Sequence, residues 1–273
     1  RRAQTHRELL ERVRQGLDAG EFCLYYQPKV NMRQGTVFGA EVLIRWRHPE
    51  QGLLAPGVFM AVVETSEFAE TLGNWVLGTA IKQMAVWAAE GFTLPVSVNV
   101  SARHLQQPDF AARVQSLLAD YPGIRTEWLE LEILETTALD EIERFSRIIA
   151  DCRQLGVRFA LDDFGIGYCS LTYLKHLPAQ ILKIDQSFIR NMLTNPDDLS
   201  IVRGVIGLAA AFKLSVIAEG VESIEHGSLL LQIGCDHAQG YAIARPMPAA
   251  EVPGWVRAWR KPEAWNRLEP CSR

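Results

Sequence analysis

Short apolar runs alternate along the chain with longer stretches of helical periodicity. The apolar runs predict eight strands, at residues 22–26, 36–46, 94–100, 129–133, 157–162, 181–184, 215–218 and 235–237. The periodic stretches predict helices at residues 71–90, 110–119, 139–155, 199–213 and 224–233. Strand and helix alternating this often indicate a largely parallel sheet.

Eight strands within about 250 residues are typical of a (β/α)₈ barrel. An open doubly wound sheet is the alternative, but it would need a glycine-rich phosphate loop after the first strand. The first two strands are joined only by the link NMRQG at residues 31–35, so they should be antiparallel. We therefore predict an α/β fold, a TIM-like (β/α)₈ barrel with one antiparallel strand near its start. The expected divisions are an N-terminal linker helix at 1–20, the barrel domain at 21–260 and a tail at 261–273.

The amino-acid composition of the chain argues against some classes of function. The chain has 28 basic and 32 acidic residues, a net charge of -4, and 48% hydrophobic residues. This balance argues against a general nucleic-acid surface, so no DNA partner is expected. The sequence shows no signal-peptide pattern and no apolar run long enough to span a membrane. Its five cysteines form no CxxC pair, which favours reduced thiols and a cytoplasmic location.

Isolated polar groups stand at the ends of successive apolar runs. They are Glu41, Asn99, Glu132, Asp162, Asp163, Lys183 and Glu219. In a barrel the carboxyl ends of the strands meet around one mouth, so these groups should converge. Burying an unpaired charge costs several kcal/mol, so gathered carboxylates need cations to hold them together. The pattern predicts a divalent-metal site on the rim of the barrel.

The oxygen-only ligand set favours Mg²⁺ or Mn²⁺ over zinc. Five acidic groups suit two ions better than one, and two ions about 3.5–4 Å apart form a known clamp for displacement at phosphorus. Lys183 would then orient the attacking water, relay a proton or neutralise charge on phosphorus. Taken singly, several of these residues suit structural hydrogen bonds or helix ends equally well. Proton abstraction of the enolase type also fits the carboxylates and lysine, although it typically needs a capping domain.

Eight motifs, in order, carry a resemblance to a known family. They are YYQP, EVLIRW, SVNVS, LELEIL, LDDFGIGYCSL, LKIDQSFI, AEGVE and AQGY, within residues 9–259. The sequence resembles the EAL-domain phosphodiesterases, which hydrolyse cyclic diguanylate (c-di-GMP) to linear 5′-pGpG with a water activated by two metal ions. The resemblance implies two Mg²⁺ or Mn²⁺ ions, inhibition by Ca²⁺, a homodimer, and flanking sensory or GGDEF-type domains in the full-length protein.

The resemblance also implies a role for each matching residue. The metal ligands would be Glu41, Asn99, Glu132, Asp162, Asp163 and Glu219, with Asp162 bridging the two ions. Catalysis would fall to Lys183 and Glu219. Substrate contacts would come from Gln27, Leu43, Arg45 and Gln239. Glu135 would support the loop after Asp163, and Glu222 would lie behind the ligands.

Some positions depart from the family pattern, and none is a predicted ligand. They are Val42 for alanine, Leu134 and Ile166 for threonine, Cys169 for serine, and Ala242 and Ile243 where aromatic residues are common. Leu134 lacks a hydroxyl that would hold the loop. The main hypothesis is an active c-di-GMP phosphodiesterase, and the alternative is a c-di-GMP receptor that is weakly active or inactive.

Overall fold

We analysed a computed structural model of the chain, which describes residues 2–135, 142–166, 174 and 178–267. Its strands are β1 (Phe22–Asn31), β2 (Thr36–His48), β3 (Gly52–Leu54), β4 (Val96–Asn99), β5 (Leu129–Leu134), β6 (Arg158–Phe164), β7 (Ile181–Ile184), β8 (Ser215–Ala218), β9 (His237–Ala238) and β10 (Met247–Pro248). Its helices are α1 (Arg2–Asp18), α2 (Met60–Glu64), α3 (Phe68–Ala89), α4 (Ala102–Leu105), α5 (Phe110–Ala119), α6 (Ile142–Gln154), α7 (Gln186–Asn191), α8 (Pro196–Ala211), α9 (Ile224–Gln232) and α10 (Val252–Ala258).

Eight of the strands close into a barrel. Strands β2, β4, β5, β6, β7, β8 and β9 pair in parallel, in that order. Strand β1 lies between β9 and β2 and is antiparallel to both, which closes the circle. Strands β3 and β10 extend β2 and β1 as short antiparallel additions. The predicted barrel with one antiparallel strand is confirmed.

The predicted elements are present, with shifted ends. Strand β1 runs to Asn31 rather than residue 26, because it pairs with β2 along its whole length as a long hairpin. The pattern missed β3, β10 and the short helices α2, α4, α7 and α10, which are too short for a periodic signal. The first residues of the predicted helix 139–155 lie outside the described residues. No helix in the described part of the chain is both long and apolar enough to cross a membrane.

The barrel interior is built in layers by residues two apart on each strand, which point to the same face. Near its floor, Ala160, Ile181 and Ile217 form a small apolar cluster against Phe38. The next inward positions of β6 and β7, and the position just after β8, carry Asp162, Lys183 and Glu219. Along these three strands, the apolar residues of the floor are therefore followed by charged residues at the mouth.

Candidate active site

The structure brings together the polar groups at the carboxyl ends of the parallel strands. Glu41 lies on β2, Asn99 ends β4, Glu132 lies on β5, Asp162 and Asp163 lie on β6, Lys183 lies on β7, and Glu219 follows β8. Most of these side chains are buried, and Glu132 and Lys183 have no exposed surface. We call this group the acidic cluster.

Lys183 occupies the centre of the acidic cluster. Its Nζ lies 2.5 Å from Glu132 Oε2, 2.7 Å from Glu219 Oε1, 3.1 Å from Asp162 Oδ1 and 3.4 Å from Glu41 Oε2. Burial lowers the pKa of Lys183, but the surrounding carboxylates outweigh it and raise the pKa well above its usual value. One ammonium therefore faces four carboxylates, which leaves a local excess of negative charge.

Amide side chains fix the orientation of Glu41. Asn99 Nδ2 donates to Glu41 Oε1 at 2.8 Å, and Gln239 Nε2 donates to Glu41 Oε2 at 2.7 Å. Gln239 Nε2 also donates to Gln27 Oε1, and Gln27 Nε2 donates to the Ala244 carbonyl at 3.0 Å. Since Asn99 uses its NH₂ group on Glu41, its carbonyl oxygen is left for a cation.

The backbone at Asp163 explains how two consecutive aspartates serve one site. Adjacent residues of a strand normally point to opposite faces. Asp163 has φ 54, in the left-handed region, and the pairing of β6 with β7 is irregular between Leu161 and Phe164. This turn brings a carboxylate oxygen of Asp163 within 4.8 Å of those of Asp162 and Glu219. Such a conformation is costly for a residue other than glycine and is typical of functional sites.

The acidic cluster fits two hard divalent cations. One group of carboxylates comprises Glu41, Glu132 and Asp162, and a second comprises Asp162, Asp163 and Glu219, with the ligand oxygens of each group within 4.8 Å of one another. Asp162 belongs to both groups. The buried Glu132 Oε1 accepts no hydrogen bond within the described residues, and Lys29 Nζ pairs with it only at 3.5 Å, which leaves this oxygen for a metal ion. Oxygen donors of this kind are those that Mg²⁺ and Mn²⁺ prefer.

Burial and mutual repulsion raise the pKa values of several carboxyls. Burial, followed by the charges of Glu132, Glu41 and Asp163, raises the pKa of Asp162 to about 7, although Lys183 opposes the shift. The pKa of Glu219 is raised well above its usual value, again chiefly by burial. Burial also acts to raise the pKa of Glu132, but Lys183 and Lys29 outweigh it and hold that pKa below its usual value.

Metal-free stability and metal affinity should therefore respond to pH in opposite directions. The pKa of Asp162 is higher in the folded protein than the usual aspartate value of 3.8, so folding favours the protonated form. That contribution to stability is complete below about pH 4 and is lost as pH rises through about 7. Metal binding displaces the proton, so apparent Mn²⁺ affinity should fall by about tenfold for each pH unit below about 7.

Denaturant melts of the metal-free protein between pH 5 and pH 8 test the pH dependence of stability. Calorimetric Mn²⁺ titrations over the same range test the pH dependence of metal affinity. A metal affinity that is flat across that range would contradict the assignment of a raised pKa to Asp162.

Two cavities flank the acidic cluster. The first has a volume of about 250 Å³ and is largely apolar; its lining includes Leu43, Met60, Val76, Asn99, Glu132 and Leu134. The second has a volume of about 210 Å³ and is polar; its lining includes Gln27, Glu41, Asp162, Glu219, Gln239 and Tyr241. The apolar cavity has no signal in the sequence pattern, because helices α2 and α3 form much of its wall.

The predicted substrate residues lie at these cavities or above them. Leu43 and Arg45 follow Glu41 at intervals of two residues on β2, so they share its face and rise above the mouth. Arg45 is half-buried, and its guanidinium lies 5.6 Å from the centre of the Tyr25 ring. Gln27 and Gln239 contact Glu41 or each other, as described above, and border the polar cavity.

The two predicted supporting glutamates have different surroundings. Glu135 Oε2 accepts a hydrogen bond from Gly165 N at 2.9 Å, which ties the end of β5 to the loop after β6. Gly165 has φ 105, a conformation that favours glycine. Glu222 pairs with Arg190 at 2.8 Å in the wall of the polar cavity. Cys169 lies outside the described residues.

The sequence matches the model of a known protein family over most of its length. The model described as "EAL domain" matches residues 10–246. MucR of Pseudomonas aeruginosa, named a bifunctional diguanylate cyclase/cyclic di-GMP phosphodiesterase, is 37% identical over 251 residues. PdeR of Escherichia coli, named a cyclic di-GMP phosphodiesterase, is 35% identical over 251 residues. These alignments cover 92% and 91% of this chain but only 36% and 37% of the relatives.

Solved structures resemble the fold closely. The PaMucR phosphodiesterase in complex with c-di-GMP has a TM-score of 0.86 and 36% identity, covering 90% of this chain and 99% of that one. The FimX EAL domain from Pseudomonas aeruginosa bound to c-di-GMP has a TM-score of 0.80 and 26% identity, covering 88% of this chain and 96% of that one.

Proposed function

The chain belongs to the EAL-domain family, and from that premise we propose that it is a divalent-metal-dependent phosphodiesterase that hydrolyses c-di-GMP to linear 5′-pGpG. The observation that carries the proposal is the acidic cluster, in which all five carboxylates, Asn99 and Lys183 converge at one mouth. Relatives of similar sequence bear the phosphodiesterase name, and a structure of similar fold holds c-di-GMP.

The ligand assignment follows the two overlapping carboxylate groups. We propose that Glu41, Asn99, Glu132 and Asp162 hold one ion, and that Asp162, Asp163 and Glu219 hold the other. Bound there, Mg²⁺ or Mn²⁺ would activate a water molecule and stabilise negative charge on the phosphate. Ca²⁺ should support no turnover, since its longer and looser coordination suits this geometry poorly.

Lys183 and Glu219 would divide the remaining chemistry. A protonated lysine offers three N–H donors and no acceptor, so Lys183 would orient the attacking water and oppose charge developing at phosphorus. Glu219 would take the proton that the water loses. The water oxygen bonds to phosphorus as the P–O3′ bond breaks, and the 3′ oxygen leaves and gains a proton, which gives the free 3′ hydroxyl and the 5′ phosphate of pGpG.

The two cavities suit the two halves of a dinucleotide. The apolar cavity would seat one guanine against Leu43, and the polar cavity would take the opposite half of the ligand near Tyr241. Arg45, on the same face as Leu43 and above Glu41, would contact a phosphate. The family resemblance supports the further proposal that the chain forms a homodimer through the loop and helix that follow Asp163.

Replacing Leu43 with alanine is expected to raise the KM for c-di-GMP by about tenfold and to leave kcat little changed. The substitution removes apolar contact from the base cavity, and even one methylene group of contact in such a cavity is worth about 1–3 kcal/mol. Leu53→Ala is the matched control, because Leu53 is 48% exposed on β3 and lies outside both cavity walls. Steady-state kinetics check both variants, and an unchanged KM for Leu43→Ala would remove that residue from the substrate site.

The proposal is tested by incubating the purified protein with c-di-GMP and Mg²⁺ or Mn²⁺ and separating the nucleotides by chromatography. We expect 5′-pGpG with either ion, and none with Ca²⁺ or after chelation. Absence of turnover with both ions would refute the proposal. Tight c-di-GMP binding without turnover, unchanged by chelation, would establish the receptor alternative.

A further inference from the structure

A second buried ion pair lies directly beneath the acidic cluster. Lys29, on β1, places its Nζ 2.7 Å from Glu130 Oε1 on β5, across the barrel interior. Lys29 is 2% exposed and Glu130 is 5% exposed. Neither residue was singled out by the sequence pattern, and neither takes part in the proposed chemistry.

The position of Lys29 connects this pair to a proposed metal ligand. Glu130 and Glu132 are two residues apart on β5, so both point into the barrel. Lys29 Nζ lies 3.5 Å from Glu132 Oε1 but only 2.7 Å from Glu130 Oε1. It donates its hydrogen bond to Glu130, while Glu132 Oε1 has no hydrogen-bond partner within the described residues.

We propose that Glu130 is a positioning residue that takes the hydrogen bond of Lys29, so that Lys29 makes only a longer ion pair with Glu132 and leaves Glu132 Oε1 available to a divalent cation. This inference rests on the proposed function, since it concerns the same metal site. A lysine ammonium and a metal ion compete for the same carboxylate oxygen, because each would neutralise its charge. Without Glu130, Lys29 would close from 3.5 Å to hydrogen-bonding distance of Glu132 Oε1. The other oxygen of Glu132 already contacts Lys183 at 2.5 Å.

A purely structural ion pair would behave differently. Such a pair would alter the stability of the barrel and leave cation affinity unchanged. In a positioning pair, loss of Glu130 would let Lys29 bind Glu132 and would lower cation affinity. This effect should disappear when Lys29 loses its charge. Replacing a residue that positions a metal ligand without binding the metal itself commonly changes metal affinity by about 10–100-fold.

The test is calorimetric titration of the metal-free full chain with Mn²⁺, at constant pH and without nucleotide. Glu130→Gln is expected to weaken Mn²⁺ binding by about tenfold. Glu130→Asp keeps the charge but shortens the reach to Lys29, and it should weaken binding in the same direction. Adding Lys29→Met to Glu130→Gln should restore affinity to within about threefold of the wild type, because Lys29 no longer competes for Glu132 Oε1.

Asp236→Asn is the matched control, because Asp236 pairs with Arg33 at 2.9 Å outside the acidic cluster. Denaturant melts without metal check that each variant folds. Wild-type affinity in Glu130→Gln, or a double variant as weak as Glu130→Gln, would overturn the inference. If Glu130→Gln weakened Mn²⁺ binding and Glu130→Asp did not, the weakening would come from the change in net charge. That result would also overturn the inference. If the wild type bound no Mn²⁺, the proposed function itself would fail.

Discussion

Replacing Glu41 with glutamine is expected to lower c-di-GMP turnover by about a thousandfold or more, and apparent Mn²⁺ affinity should fall with it. A thousandfold loss corresponds to about 4 kcal/mol of barrier, which is within what a metal ion contributes to such a reaction. The carboxylate of Glu41 accepts from Asn99 and Gln239 and lies 3.4 Å from Lys183 Nζ. Glutamine has a similar shape, but it removes one charge and turns an NH₂ group toward existing donors.

The comparison uses single-turnover rates and Mn²⁺ titrations of the wild type, Glu41→Gln and Glu41→Ala. Glu21→Gln is the matched control, because Glu21 accepts from Arg12 and Trp46 outside the acidic cluster. We expect that control to keep its turnover. Retention of turnover in Glu41→Ala would break the ligand assignment.

Replacing Lys183 with methionine is expected to abolish turnover while leaving c-di-GMP binding largely intact. Lys183 is fully buried beneath the carboxylates, so it reaches the reacting groups from below rather than the body of the ligand. In the metal-free protein its loss leaves four carboxylates without their shared counter-charge. Removing one partner of a buried ion pair costs about 3–5 kcal/mol, so the metal-free variant should be strongly destabilised.

Mn²⁺ should recover much of that lost stability, because the ion supplies the missing positive charge and binds only the folded state. Urea unfolding with and without Mn²⁺ measures the recovery, and turnover and c-di-GMP binding are measured in the same samples. Lys261→Met is the control, since Lys261 donates to the Arg33 carbonyl at 2.6 Å and has no contact with the acidic cluster. If c-di-GMP binding disappeared in Lys183→Met with Mn²⁺ present, Lys183 would be a ligand contact.

The alternation of apolar runs and helical periods was enough to predict the barrel, and the short link after β1 was enough to predict its antiparallel strand. The convergence of the polar residues at strand ends was equally predictable. The carboxyl ends of parallel barrel strands meet at one mouth, whatever the conformation of the loops. That regularity is why the sequence alone predicts that Glu132, Asp162 and Lys183 lie at one mouth.

Other features depend on contacts between distant parts of the chain. Lys29 and Glu130 are separated by 101 residues and meet only when β1 crosses the barrel interior. The apolar cavity needs helix α2, whose five residues give no periodic signal. The left-handed turn at Asp163 is likewise invisible in a sequence that reads as an ordinary strand end.

Hydrolysis of c-di-GMP in oxygen-18 water, followed by analysis of the product, tests the proposed reaction. With Mn²⁺, we expect each pGpG to carry one oxygen-18 atom in its 5′ phosphate, and we expect chelation to stop its formation. The label reports water attack at phosphorus with cleavage of the P–O3′ bond, and the chelator reports the metal requirement. Unlabelled product, label on the 3′ hydroxyl, or turnover that survives chelation would contradict the proposed metal-dependent attack of water at phosphorus.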